Sequence, residues 1–164
     1  MSKVALAIGL ASILSFPAFA EDQMLEGTYK LVSSARKLLE SGEVVDTYGK
    51  HPTGYINYGK DGRFLVLIVA DKNNRPTPDN VAAITDQQRA DLFRTMTSYG
   101  GTYTFDGHIV EHHIDISWNQ TWTGTTVIRD VQREGDKLIY TTRPAQFSGD
   151  GKMSVITVVW QKAD

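Results

Sequence analysis

The chain has 164 residues, with 17 Lys and Arg against 19 Asp and Glu and a formal net charge of −2. That near-balance offers no electrostatic footprint for nucleic acid or an anionic membrane surface. With no cysteine, disulfides and thiol chemistry are excluded, and stability rests on packing.

The first twenty residues read as a signal peptide rather than as part of the fold. Lys3 supplies a positive start, Val4 to Phe16 an apolar run, and Ala18-Phe19-Ala20 a small-x-small cleavage site before Glu21-Asp22. The run is shorter than the roughly 20 residues that a membrane-spanning helix needs, which favours a cleaved signal over an anchor. No twin arginine precedes it, and no cysteine is available for lipidation. The expectation is an exported protein, periplasmic or secreted, cleaved after Ala20, with residues 21–164 as one domain. No later segment is apolar and long enough to cross a bilayer.

Gly27 to Val32 opens the first strand, with Tyr29 and Leu31 on one face. Val44 to Tyr48 makes a short second strand between Gly42 and Gly49. After the Pro52-Thr53-Gly54 turn come Tyr55 to Tyr58, a Gly59-Lys60-Asp61-Gly62 hairpin turn, and an apolar strand from Arg63 to Ala70. Asp71 to Asn80, with Pro76 and Pro78, is a loop. Thr85 and Gln88 form a capping box for the chain's one substantial helix, whose stripe is Leu92, Phe93 and Met96 and which Gly100-Gly101 terminates.

The remaining segments are again strands: Thr102 to Phe105, Ile109 to Trp118, Thr123 to Gln132, Leu138 to Arg143 and Met153 to Gln161. About nine or ten short strands at this spacing predict an all-β antiparallel barrel or sandwich, interrupted once by a helix. No internal repeat or linker divides it.

The chemistry concentrates between Val110 and Arg129. Successive side chains of a strand point to opposite faces, so Val110, His112, Ile114, Ile116 and Trp118 share an inward face, and Glu111, His113, Asp115 and Ser117 a wet one. His112 is either a core histidine bonded to a neighbour or a ligand contact able to move a proton. Arg129 alternates with Val127 and Val131, which puts a guanidinium among apolar side chains. It either stacks on a first-strand ring, for which Tyr29 is available, or holds a ligand carboxylate in bidentate fashion. Trp118 and Trp122 are rim packing or a ligand platform. Tyr55 and Tyr58 differ in parity, so one of them faces inward. Tyr103 shares a face with Phe105, and His112 or a ligand oxygen could satisfy its hydroxyl.

Other chemistries lack their signatures. Glu111, His113 and Asp115 stand roughly 6.6 Å apart along the strand, wide for ligands on one zinc. No nucleophile elbow, P-loop or dinucleotide fingerprint occurs, and no carboxylate pair falls in the apolar rows. No metal and no cofactor are therefore expected.

Several segments together resemble the bacterial and fungal lipocalin-like domain family. They are Gly27 to Val32, Pro52 to Phe64, Tyr99-Gly100-Gly101-Thr102-Tyr103, and the stretch from His112-His113 through Trp122 and Gly124 to Arg129, with Trp160 near the end. The resemblance runs from about Leu25 to Lys162 in the same motif order. Ile114 and Asp115 replace a Val-Glu pair common in the family, and Gln120-Thr121 a Pro-Asn pair. The resemblance implies a small antiparallel barrel with a cup-like interior, here with one helix at its mouth. Some members act as isomerases or cyclases of apolar intermediates, and others are regarded as binders; the export signal is a departure from cytosolic biosynthetic relatives.

Three functions follow. The first is an exported, cofactor-free binder of a small, largely apolar molecule bearing a carboxylate or carbonyl. His112, Arg129, Trp122, Tyr103, Tyr58 and Trp118 would line its site. The second is a cofactor-independent isomerase, cyclase or lyase, with His112 as general acid or base and Tyr103 and Arg129 stabilising an oxyanion. The third is a filled, protein-binding barrel that uses the Asp71 to Asn80 loop.

Overall fold

The computed structural model describes residues 24–163, so the signal-peptide reading of residues 1–20 lies outside the described residues. Ten strands follow one another: β1 (Gly27–Leu38), β2 (Val44–Asp46), β3 (Thr53–Tyr58), β4 (Arg63–Val69), β5 (Met96–Phe105), β6 (Ile109–Ser117), β7 (Thr126–Glu134), β8 (Lys137–Thr141), β9 (Ala145–Gln146) and β10 (Met153–Lys162). One α-helix, α1 (Asp86–Arg94), lies between β4 and β5. The hydrogen-bonded order β1-β3-β4-β5-β6-β7-β8-β10 closes on itself through the β1–β10 pairing. The result is an eight-stranded antiparallel barrel, with β2 and β9 as short additions at one end. Closure removes the unpaired edges that an open sheet would expose.

Strict alternation builds the wall where the sequence alternates. Gly54, Ile56 and Tyr58 of β3 and Phe64, Val66 and Ile68 of β4 face inward, whereas Tyr55 is exposed. One end of the barrel is plugged by Leu25, Tyr29, Tyr58, Phe64, Val110, Leu138 and Trp160, all buried. Tyr29 meets Tyr58 edge-on, with ring centroids 6.5 Å apart.

Two bulges break the alternation. The β1–β10 register shifts between Leu31 and Ser33. Tyr29 and Leu31 face inward before the shift, and Ser34, Arg36 and Leu38 after it. The segment Gly27 to Val32, which opens the strand, thus runs into a bulge, and β1 continues for another six residues. A second shift lies between Gly100 and Gly101, which pair with Ile116 and Ile114 respectively, so Asp115 is the extra residue. Beyond it the inward row stops, and Ile116, expected inside, is 65% exposed.

The same glycines correct the helix boundary. Gly100-Gly101 does not end α1; the helix stops at Arg94, and the pair lies inside β5. Close approach of neighbouring strands explains why glycine stands there. A Cβ at Gly100 would lie 2.9 Å from the Phe64 carbonyl oxygen, and one at Gly101 would collide with the His113 carbonyl. The N-terminus of α1 is as expected: Thr85 Oγ1 accepts from the Gln88 backbone N–H at 3.2 Å, and Gln88 Oε1 accepts from Thr85 N–H at 3.0 Å.

Gly101→Ala is expected to destabilise the barrel by about 3 kcal/mol, the upper end of overpacking costs. Denaturant unfolding checks this; a loss below about 0.5 kcal/mol, ordinary for surface substitutions, would contradict the close approach.

Candidate functional site

Above the plug the barrel is open, with a cavity of about 700 Å³. The size lies within the range of small-molecule pockets and argues against a filled interior. Its walls include Ile56, Ile68, Tyr99, Val127, Val158 and Trp160, and its floor includes His112 and Tyr140. Phe93, Arg94 and Met96 bring the end of α1 and the start of β5 to the mouth.

His112 is the hinge between plug and cavity. Its β6 position pairs with Tyr103 on one side and Val127 on the other, so the alternation turns it inward, where it is 1% exposed. The imidazole stacks on Phe64, with centroids 4.2 Å apart and planes 17° from parallel, and meets Tyr99 edge-on at 6.0 Å. Tyr140 Oη donates to Tyr58 Oη at 2.9 Å, and Tyr58 Oη lies 2.7 Å from His112 Nε2. With Tyr140 donating to it, Tyr58 satisfies its own proton by donating to Nε2, the arrangement that leaves neither phenol proton unpaired. His112 then accepts at Nε2 and carries its proton on Nδ1. That Nδ1 is buried and has no partner among the described residues.

Its surroundings keep the imidazole neutral. Burial first, then the positive charges of Arg129 and His113, push His112 down to about 3. Burial likewise raises the phenols of Tyr58, Tyr99 and Tyr140, so all three stay protonated. His112 and the phenols around it are thus a neutral, aromatic part of the floor.

Arg129 pairs with Val110 in the β6–β7 register and lines the cavity, as its alternation predicts. Its Nη1 donates to the Ile128 carbonyl at 2.9 Å, and no carboxylate among the described residues forms a salt bridge with it. The expected stack on Tyr29 is absent; the cation over a ring among the described residues is Arg36, 4.2 Å from the Phe147 centroid. The reason is height along the strand. Tyr29 sits in the plug, and it is Arg133, four residues nearer that end of β7, that reaches the N-terminal segment, donating to the Met24 carbonyl at 3.0 Å. Arg129 is left in the cavity.

The tryptophans sit at the mouth. Trp122 lies in the 3₁₀ turn Gln120–Trp122, and β7 begins at Thr126, three residues later than the expected Thr123. Its ring packs edge-on against Tyr99 at 5.4 Å and Trp118 at 5.0 Å, and Phe93 lies 6.1 Å from Trp118. Trp118 and Trp122 both line the cavity. Tyr58 and Tyr103 are not among the lining residues. Tyr58 stands behind His112, and Tyr103 packs on Tyr58 at 4.7 Å with its hydroxyl 3.3 Å from the Gly59 carbonyl oxygen, at the plugged end. On the outer face, His113 Nδ1 lies 3.0 Å from Thr126 Oγ1, and Asp115 pairs with Arg63 at 3.1 Å.

Sequence reasoning missed the wall formed by β1 and the strap above it. Ser34 and Thr47 line the cavity, as do Phe147, Ser148 and Gly149. Arg36 reaches from β1 to grip Asp150 with two bonds of 2.8 and 2.7 Å, which ties the β9–β10 hairpin across the rim. The Arg36 guanidinium holds the Asp150 carboxyl down at about 2. No alternation announces Ser34 and Arg36, because the bulge after Leu31 reverses which side chains of β1 point inward.

The barrel, the helix α1 at its mouth and its closed end define a lipocalin-like architecture. Residues 26–163 match the family model of the lipocalin-like domain, and the chain belongs to that family. A comparison with curated proteins gives no match. Among the described residues, no helix is long and apolar enough to cross a membrane.

The His112 environment sets a pH dependence. Unfolded His112 takes up a proton below about 6.5, whereas the folded imidazole stays neutral until about 3. The unfolded state therefore binds more protons in that window, and stability falls as pH drops through it. By pH 5 this costs about 2 kcal/mol. Thermal melts at pH 7 and pH 5 should show a larger loss for the wild type than for His112→Gln; equal losses would contradict a neutral buried imidazole.

Proposed function

We propose that this lipocalin-like protein is exported and binds a small, largely apolar molecule in the barrel, with a carboxylate or carbonyl oxygen of that molecule seated at the floor. One observation carries the reading: a guanidinium without a carboxylate partner and an imidazole Nδ1 without an acceptor among the described residues belong to the same cavity. Both groups donate and neither accepts, so the complementary atom is an acceptor oxygen. Charge favours a carboxylate, which Arg129 can hold through two parallel bonds. Aromatic and aliphatic walls supply the remaining contact area.

Export rests on the Lys3 to Ala20 pattern of the sequence. The isomerase or cyclase alternative needs a histidine that exchanges protons near working pH. An imidazole pushed down to about 3 favours the binder. Its geometry suits a fixed donor better than a proton shuttle.

Native mass spectrometry on protein purified gently from its source tests the proposal. The expected spectrum shows a bound small-molecule mass that is lost in Arg129→Ala and weakened in His112→Ala. An adduct that survives both substitutions, or a protein that stays free when offered apolar carboxylates and carbonyls, would overturn it.

A further inference from the structure

Six buried side-chain polar atoms lack a partner among the described residues: Tyr29 Oη, Ser34 Oγ, Thr47 Oγ1, His112 Nδ1, Trp118 Nε1 and Trp160 Nε1. All except Tyr29 belong to residues that line the cavity. Folded interiors pair nearly all their buried polar groups, so unpaired atoms gathered around one volume point to polar partners inside it.

Their placement is not random around the barrel. Ser34 is on β1 and His112 on β6, and three strands separate them in either direction around the closed sheet. The two therefore stand on opposite walls. Thr47 is tied beside Ser34, its backbone N–H donating to the Ser34 carbonyl at 2.9 Å. The neighbouring Tyr48 hydroxyl is already engaged by Thr97 Oγ1 at 2.6 Å, and Arg36 is committed to Asp150. What remains free on this wall is a pair of hydroxyls. Each can both donate and accept, and neither carries charge.

We infer that the cavity has two hydrogen-bonding poles, a cationic one at Arg129 and His112 and a neutral hydroxyl one at Ser34 and Thr47, and that its ligand is a flat ring-bearing acid with a hydroxyl or carbonyl at the end remote from the acid. The inference rests on the proposed binding function and specifies its ligand class. The flat body follows from the aromatic edge on the β5–β7 side of the cavity, beside the cationic pole, where Tyr99, Trp122 and Trp118 meet edge-on in turn.

Titration calorimetry with two probes, 2-naphthoic acid and 6-hydroxy-2-naphthoic acid, tests this. The hydroxy acid should bind the wild-type protein about fivefold more tightly than the parent acid, the value of one added hydrogen bond. That factor should collapse to about one in the Ser34→Ala/Thr47→Val double variant, while Arg129→Gln weakens both acids alike. Equal affinities in the wild type, or an advantage that persists in the double variant, would overturn the second pole and leave the binding function standing. Failure of both acids to bind would overturn the binding function and this inference together. A stability control guards against misfolding. An unpaired hydroxyl contributes nothing to the fold, so Ser34→Ala should melt at or above the wild-type temperature. A drop of more than about 5 °C would mean that the hydroxyl has a structural partner and would overturn the assignment.

Discussion

The arrangement depends on a short chain of hydrogen bonds, from Tyr140 through Tyr58 to His112. It joins β8, β3 and β6 across the interior, at the level where side-chain packing gives way to open space. Below it Tyr29, Val110 and Leu138 close the barrel. Above it the walls remain apart. The chain also decides chemistry, because a proton donated by Tyr58 to Nε2 leaves Nδ1 as the imidazole's donor. A buried polar network of this kind is costly when half satisfied, since a low-dielectric interior strengthens the penalty as much as the bond. The unsatisfied end lies at His112 Nδ1, the point at which the protein meets its cavity.

Arg129 acts on the same floor from the adjacent strand. Burial first, and the Arg129 charge after it, oppose protonation of His112, so the two groups are coupled: the neutral imidazole spares the cavity a second charge. An anionic or carbonyl oxygen would relieve both, as a charge-assisted bond for one and an acceptor for the other. The mouth is defined differently, by aromatic edges from the β6–β7 turn and by the hairpin that Arg36 and Asp150 tie down. Polar floor, aromatic wall and strapped rim are three different solutions within one barrel.

Much of this floor was legible in the sequence. Val110, His112 and Ile114 alternate, and so do Val127, Arg129 and Val131; a period of two carries them inward whatever the rest of the fold does. The Asp61-Gly62 turn and the Thr85–Gln88 capping box are local signals and landed where local chemistry put them. What escaped lies beyond the bulges. Asp115 is an extra residue opposite Gly100-Gly101, so Ile116 points outward although its sequence parity is that of Ile114. The same device after Leu31 brought Ser34 and Arg36 inside and hid them from any reading by alternation. A bulge is a property of paired strands, and no single strand's pattern reveals it. Arg129 and Arg133 share parity too. Only the height of the plug assigns the first to the cavity and the second to the closed end.

The most direct measurement is long-range proton–nitrogen NMR of the imidazole side chains in the folded protein, with His112 assigned by comparison with His112→Gln. The account predicts a bare Nε2 and a protonated Nδ1 for His112, unchanged between about pH 8 and 5, where an ordinary histidine titrates. A His112 signal that titrates near its ordinary value, or that carries its proton on Nε2, would contradict it. The floor would then not be the neutral donor on which the proposed function stands.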